Sequence, residues 1–159
     1  MMFNFEFDFA GNLQCIPMVV RFNLDRCGIK LSIEQWSCFT HKERVRLIEQ
    51  LCDAHEDVLE YRHLLARLIR FHTGEEPDEI AIDEAPEWND CSRVPLRLQA
   101  YADEKGLPMP SLAAWARLEP LQRFTLYKLT RPGHRNENFV PAFHEFNLTT
   151  GPLRRASRR

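Results

Sequence analysis

Residues 111–126 read SLAAWARLEPLQRFTL, and residues 32–47 read SIEQWSCFTHKERVRL. The two stretches decide the fold because they say nearly the same thing. In each, a Ser heads a short apolar pattern, a Trp follows four residues later, and an Arg stands eight residues beyond the Trp. A Ser at the head of a periodic run is a helix N-cap, since its hydroxyl accepts from a backbone N–H that the helix leaves unpaired. Ser32 with Gln35, and Thr40 with Glu43, complete capping boxes in which the third helical residue bonds back to the cap. The first stretch therefore predicts a short helix carrying Ile33, Trp36 and Phe39, and then a helix with Val45, Leu47, Ile48 and Leu51. In the second stretch Pro120 stands at the head of the second helix, where its missing N–H costs nothing.

The correspondence extends upstream. Ile16-Pro17 opens a helical pattern with Val20, Leu24 and Cys27 on one side, and Gly28 ends it. Val94-Pro95 and Gly106-Leu107 repeat that punctuation, with one inserted residue near 108–110. Any two helical hairpins share some punctuation, but an ordered match of Pro, Gly, Ser, Trp and Arg favours an internal duplication. The expected fold is mostly α. It is a compact single helical domain over 1–148, built of two pseudo-repeated three-helix units at about 16–73 and 94–148.

Around these units the chain is easily segmented. Asp53 with Glu56 resembles a third capping box, followed by a helix with Val58, Tyr61, Leu65 and Leu68 that stops before Gly74. Residues 75–90 carry Glu75, Glu76, Asp78, Glu79, Asp83, Glu84, Glu87 and Asp90 with no Lys or Arg, and Pro77 and Pro86 forbid a long helix. This reads as an acidic linker, with room for a brief strand at 79–83 and with Trp88 pinning it to the body. Phe3, Phe5, Phe7 and Phe9 alternate with polar residues, which predicts a short strand or extended arm laid over the helices. After Leu126 the copies diverge, the second running through Pro132 and Gly133 into a short last helix. Residues 149–159 form a basic tail expected to be disordered.

Composition narrows the function. The chain has 159 residues, 44% hydrophobic and 28% charged, with a net charge of −2. That is an ordinary globular balance and offers no basic field for nucleic acid. No apolar run reaches membrane-spanning length. The five cysteines are scattered and the N-terminus lacks a basic signal-type region, which points to a cytoplasmic protein with reduced thiols.

Candidate chemistry is sparse. Cys38-x2-His41 and Cys52-x2-His55 have zinc-like spacing, but each pair straddles a helix junction, so core thiols and surface imidazoles are the expectation, with no metal and no cofactor. There is no glycine-rich phosphate loop and no nucleophile elbow. A non-enzyme without catalytic residues is therefore expected. Two other classes stay open. One is a small Cys/His redox or metal carrier using Cys15, Cys27 and Cys52. The other is a helix-turn-helix-like DNA-binding regulator reading with Thr40–Leu51 or Pro120–Leu129, which the acidic charge opposes. The richest polar cluster is Arg123, Lys128, Arg131, His134, Asn136 and Asn138, with Arg135 among them. Forked guanidinium donors and amides at a helix end and loop suit holding an anion or docking a carboxylate-bearing partner. Lys128 and Arg131 could instead complement the helix C-terminus. Arg123 has a counterpart in Arg44, which suggests a structural ion pair.

Several longer motifs carry a resemblance. They are Phe3-Asn4-Phe5-Glu6, Cys15-Ile16-Pro17-Met18-Val19-Val20-Arg21, Leu24-Asp25-Arg26-Cys27-Gly28-Ile29-Lys30-Leu31 and Leu121-Gln122-Arg123-Phe124. Lys128-Leu129-Thr130-Arg131-Pro132 continues them, into Asn138-Phe139-Val140-Pro141-Ala142 and Glu145-Phe146. Over Phe3 to Leu148 the chain resembles the nitrate reductase-associated protein family, departing from its expected Ser and Glu at Gly133 and Arg135. The resemblance implies an accessory factor of nitrate assimilation. Such a factor is needed for assembly or activity of a molybdenum-dependent nitrate reductase, which would be its protein partner.

Overall fold

The computed structural model describes residues 1–7, 13–132 and 136–149. The structure is mostly helical, and the chain divides into two compact units, Met1–Glu84 and Ala85–Arg159. The division falls inside the acidic stretch.

The first unit contains α1 (Met18–Cys27), α2 (Ile33–Cys38), α3 (His41–Glu49) and α4 (His55–Thr73). Both capping boxes form. The Ser32 hydroxyl accepts from Gln35 N–H at 3.1 Å, and the Ser32 N–H donates to Gln35 Oε1 at 3.0 Å. Thr40 and Glu43 exchange the same pair of bonds at 3.2 and 2.8 Å. Gly28 and Gly74 close α1 and α4 in the left-handed conformation, with φ of +71° and +70°. The apolar stripes meet in one core, where Val20, Cys27, Ile29, Trp36, Leu47, Tyr61, Leu65 and Ile69 are all buried.

Three local expectations change. The box expected at Asp53 and Glu56 is displaced by one residue. Helix α4 begins at His55, the Ala54 N–H donates to Asp57 Oδ2 at 3.0 Å, and Asp53 instead pairs with Arg26 at 3.2 Å. Leu51 lies beyond the end of α3 and is exposed. The brief strand is shorter and earlier than 79–83. It is β2 (Asp78–Glu79), antiparallel to β1 (Ile29–Lys30), with Ile29 opposite Glu79 and Lys30 opposite Asp78. The Ile80 N–H then donates to Gly28 O at 3.0 Å, so the strap runs directly over the glycine that ends α1.

The N-terminal arm packs on this unit as a 3-10 turn, Asn4–Glu6, rather than as a strand. Phe3 and Phe5 are buried with their rings stacked at 5.6 Å, whereas Phe7 is 58% exposed. Period two fails because Glu6 also turns inward, to 1% exposure. Its Oε1 accepts from the Met18 N–H at 2.7 Å and its Oε2 from the Phe3 N–H at 2.9 Å. The N-cap of α1 is Pro17, which has no side-chain oxygen. A carboxylate from twelve residues upstream supplies the missing acceptor and suits the positive end of the helix. Phe9 lies outside the described residues.

The second unit contains α5 (Leu96–Glu104), α6 (Leu112–Arg117), α7 (Pro120–Lys128) and α8 (Phe139–Glu145). Ser111 Oγ accepts from Ala114 N–H at 3.1 Å. Pro120 is the first residue of α7, and Gln122 Oε1 accepts from Glu119 N–H at 2.9 Å. Leu98, Ala102, Trp115, Phe124, Leu126, Phe139 and Phe143 form the buried interior. The end of the acidic stretch belongs to this unit. It makes a 3-10 turn, Glu87–Asn89, whose Trp88 ring stands edge-on to Phe124 at 5.8 Å. Residues 150–159 of the basic tail lie outside the described residues. Among the described residues no helix is long and apolar enough to cross a membrane.

Candidate functional site

The C-terminal end of α7 and the chain leading into α8 carry the predicted cluster. Arg123 is not at the surface. It is 5% exposed, and its guanidinium donates to Trp88 O at 3.1 Å, to Asn89 Oδ1 at 3.5 Å and to Leu118 O. The expected ion pair is thus replaced by a clamp on carbonyl and amide oxygens. Arg44 does the same in the first unit, donating to Trp36 O, Leu13 O and Ser37 O at 3.2, 3.0 and 2.9 Å. A planar fork with five donors is suited to gathering oxygens from separate segments.

The other described members stay near the surface. Lys128 is half-buried with its ammonium 5.4 Å from the Phe124 ring centroid. Arg131 is exposed, and its carbonyl accepts from Asn136 Nδ2 at 3.1 Å, which ties the two ends of the 131–136 segment together. Asn138 precedes α8 without a side-chain cap bond, while its carbonyl accepts from Ala142 N–H at 2.9 Å. His134, with Gly133 and Arg135, lies outside the described residues. The structure therefore links Asn136 to Arg131 and Arg131 to Lys128 through backbone oxygens, and withdraws Arg123 into the interior of the unit. A residue the sequence did not single out, Arg97, holds this end in place. It donates to Thr130 Oγ1 at 2.7 Å and to Tyr127 O at 2.9 Å, with its guanidinium 4.2 Å from the Tyr127 ring centroid. Complementing the last carbonyls of α7 is thus a role Arg97 fills.

The thiols sit in different surroundings. Cys27 and Cys52 are buried, and burial pushes the Cys27 thiol up and the Cys52 thiol up to about 12. Such thiols are protonated at neutral pH and weak as nucleophiles. Cys15 is half-buried; Cys38, His41 and His55 are exposed. Among the described residues, no three or more His, Cys, Asp or Glu side chains gather as a cation-holding group. Of the two segments considered for DNA reading, α7 is buried from Arg123 to Leu126, while α3 keeps Lys42 and Arg46 exposed.

One surface feature is new. A groove of about 280 Å³ between α3 and α4 is lined by Glu43, Arg46, Leu64, Arg67, Leu68 and Phe71. Beside it, His72 Nε2 lies 2.8 Å from Glu43 Oε2. Burial alone would raise the Glu43 carboxyl, but the Thr40 N–H, His72 and the Thr40 hydroxyl together hold it below the ordinary carboxylate value. The sequence carries a signal for this groove. Leu64, Leu68 and Phe71 follow one another at i, i+4 and i+7, a second apolar stripe beside Tyr61, Leu65 and Ile69.

The family of conserved nitrate reductase-associated proteins matches the chain over residues 2–146. The chain belongs to that family. No curated protein and no solved structure matches it. The family's span takes in the arm with Glu6, both arginine clamps, the α3–α4 groove and the Lys128–Asn138 segment. It leaves out the basic tail.

Proposed function

We propose that this protein is a non-catalytic accessory factor of a molybdenum-dependent nitrate reductase, acting in the cytoplasm by docking on the enzyme or its maturing form. The observation that carries the proposal is the family match across nearly the whole chain, from a family described by its association with nitrate reductase. The docking surface is the end of α7 and the segment beyond it, with Lys128, Arg131, His134, Asn136 and Asn138. Arg123 serves it from beneath, as a clamp that fixes α7 against the Trp88 turn. An exposed guanidinium such as that of Arg131 can pair with a carboxylate of a partner, and amides can bond its backbone groups. The tagged protein should co-purify with nitrate reductase from nitrate-grown cells. Arg131→Ala should weaken that association about tenfold, roughly 1.4 kcal/mol, at unchanged melting temperature. Undiminished recovery of the enzyme with Arg131→Ala would remove this surface, and no recovery even with the unaltered chain would remove the partner.

The same reading takes the two units as copies of one ancestral segment. It is supported by Gly28 and Gly106, both left-handed, by Ser32 and Ser111, both N-caps, and by Arg44 and Arg123, both clamping carbonyls. Superposing 17–47 on 95–126 tests it directly.

A further inference from the structure

The groove between α3 and α4 lies in the first unit and owes nothing to the Lys128–Asn138 segment. We propose that it is a separate docking site for an acidic amphipathic helix of a partner protein. Its apolar part is a stripe on α4. Leu64 and Leu68 form the floor, and Phe71, 79% exposed, stands at its end. The spacing i, i+4, i+7 spans about two helical turns, the length over which a partner helix lays its own apolar side chains. At about 280 Å³ the groove is smaller than the roughly 300–1,000 Å³ of drug-sized sites and suits two or three inserted side chains.

Charge selects the partner. In the first unit Arg21 is bonded to Ile16 O, Arg26 to Asp53, Arg44 to three carbonyls, Arg62 to Cys27 O and Glu79, and Arg70 to Glu76. The guanidinium groups of Arg46 and Arg67 make neither a hydrogen bond nor an ion pair among the described residues, and both side chains line the groove. The acid that lines it, Glu43, is already engaged by the Thr40 N–H and by His72. Two uncommitted forks therefore flank an apolar floor, the complement of a helix with apolar residues on one face and carboxylates beside them. The chain's own tail fits badly, since Arg154, Arg155, Arg158 and Arg159 would meet like charge.

The test titrates the isotopically labelled full chain with a synthetic sixteen-residue helical peptide carrying Leu, Leu and Phe at i, i+4 and i+7 between glutamates. A second peptide has lysine at each glutamate. The acidic peptide should shift the amide signals of residues 43–46 and 64–71, and the basic one should bind at least tenfold more weakly. Arg46→Glu with Arg67→Glu should invert that preference. Phe71→Ser, at a side chain already in water, should weaken the acidic peptide about tenfold without altering the melting temperature. Equal binding of the two peptides, shifts confined to other residues, or no binding at millimolar peptide would overturn the proposal. Concentration-dependent shifts at the same amides without peptide would assign the groove to a second copy instead. None of these outcomes depends on whether nitrate reductase is recovered with the chain.

Discussion

In the first unit the indole of Trp36 donates to Leu13 O at 2.7 Å, and Arg44 donates to the same oxygen. In the second, the indole of Trp115 donates to Asp90 O at 3.1 Å, and Arg123 reaches Trp88 O and Asn89 Oδ1 in the same turn. One helix earlier, Arg21 Nε donates to Ile16 O at 3.0 Å and Gln99 Nε2 to Val94 O at 2.9 Å. Each unit thus draws the segment before its first helix onto its later helices through a Trp and an Arg. They part company afterwards. Helix α4 packs chiefly on α1 and α2, which leaves the Arg46 edge of α3 open. Helix α8 packs on α7, and Thr125, which the aligned sequences set at the place of Arg46, is fully buried. The shared bonds close a unit. The last helix decides which face stays free.

The largest effect that can break this comparison is at the paired arginines. Arg123→Met should cost about 3 kcal/mol, because it strands buried carbonyls that a charged donor had satisfied. Arg44→Met should cost about half that, roughly 1.5 kcal/mol, since Arg44 is only half-buried and water can reach part of its place. Urea unfolding followed by tryptophan fluorescence measures both, and the reverse order would show that the clamps are not equivalent devices in different degrees of burial. A smaller contrast lies at the left-handed glycines. An added Cβ at Gly106 would meet nothing within 4 Å, so Gly106→Ala should cost only the backbone penalty of about 1 kcal/mol. At Gly28 the same Cβ would lie 3.0 Å from Ile82 Cγ1 and 3.1 Å from Ile80 O, so Gly28→Ala should cost about 2 kcal/mol and loosen the strap. Equal melting temperatures for the two variants would contradict this. The smallest contrast is in pH. Glu43 completes the box of α3 and Gln122 that of α7. Because the Glu43 carboxyl is held below its ordinary value of 4.5, its contribution is present above that pH and fades as the pH falls through its folded-state value. Amide exchange at the start of α3 should therefore quicken below about pH 4.5, corrected for the intrinsic rate, while that of α7 stays level. Glu43→Gln should abolish the difference.

Much of the fold was legible because helix ends are local chemistry. Pro17, Gly28, Ser32, Thr40, Gly74, Ser111 and Pro120 each act within four residues, and each stands where its neighbours required it. What escaped the sequence is what acts across distance. Nothing in Phe3 to Phe9 announces that Glu6 will cap a helix at Met18. Arg44 and Arg123 were visible as a pair, but a sequence does not display carbonyl oxygens, so carboxylates were the natural partners to expect. The candidate docking residues were legible as a composition of donors; that Arg123 is spent inside the unit followed only from the position of the Trp88 turn. The α3–α4 groove combines two arginines on different helices, and its apolar stripe overlaps the core stripe of α4 at Leu68.

The Trp88 turn has a practical corollary for dissecting the molecule. A fragment of the second half cut where its helices begin, at Val94 or Pro95, would contain every helix and yet lack three oxygens that Trp115 and Arg123 need: Trp88 O, Asn89 Oδ1 and Asp90 O. The natural cleavage point lies upstream, near Ala85, so that the last acidic residues travel with the half they complete.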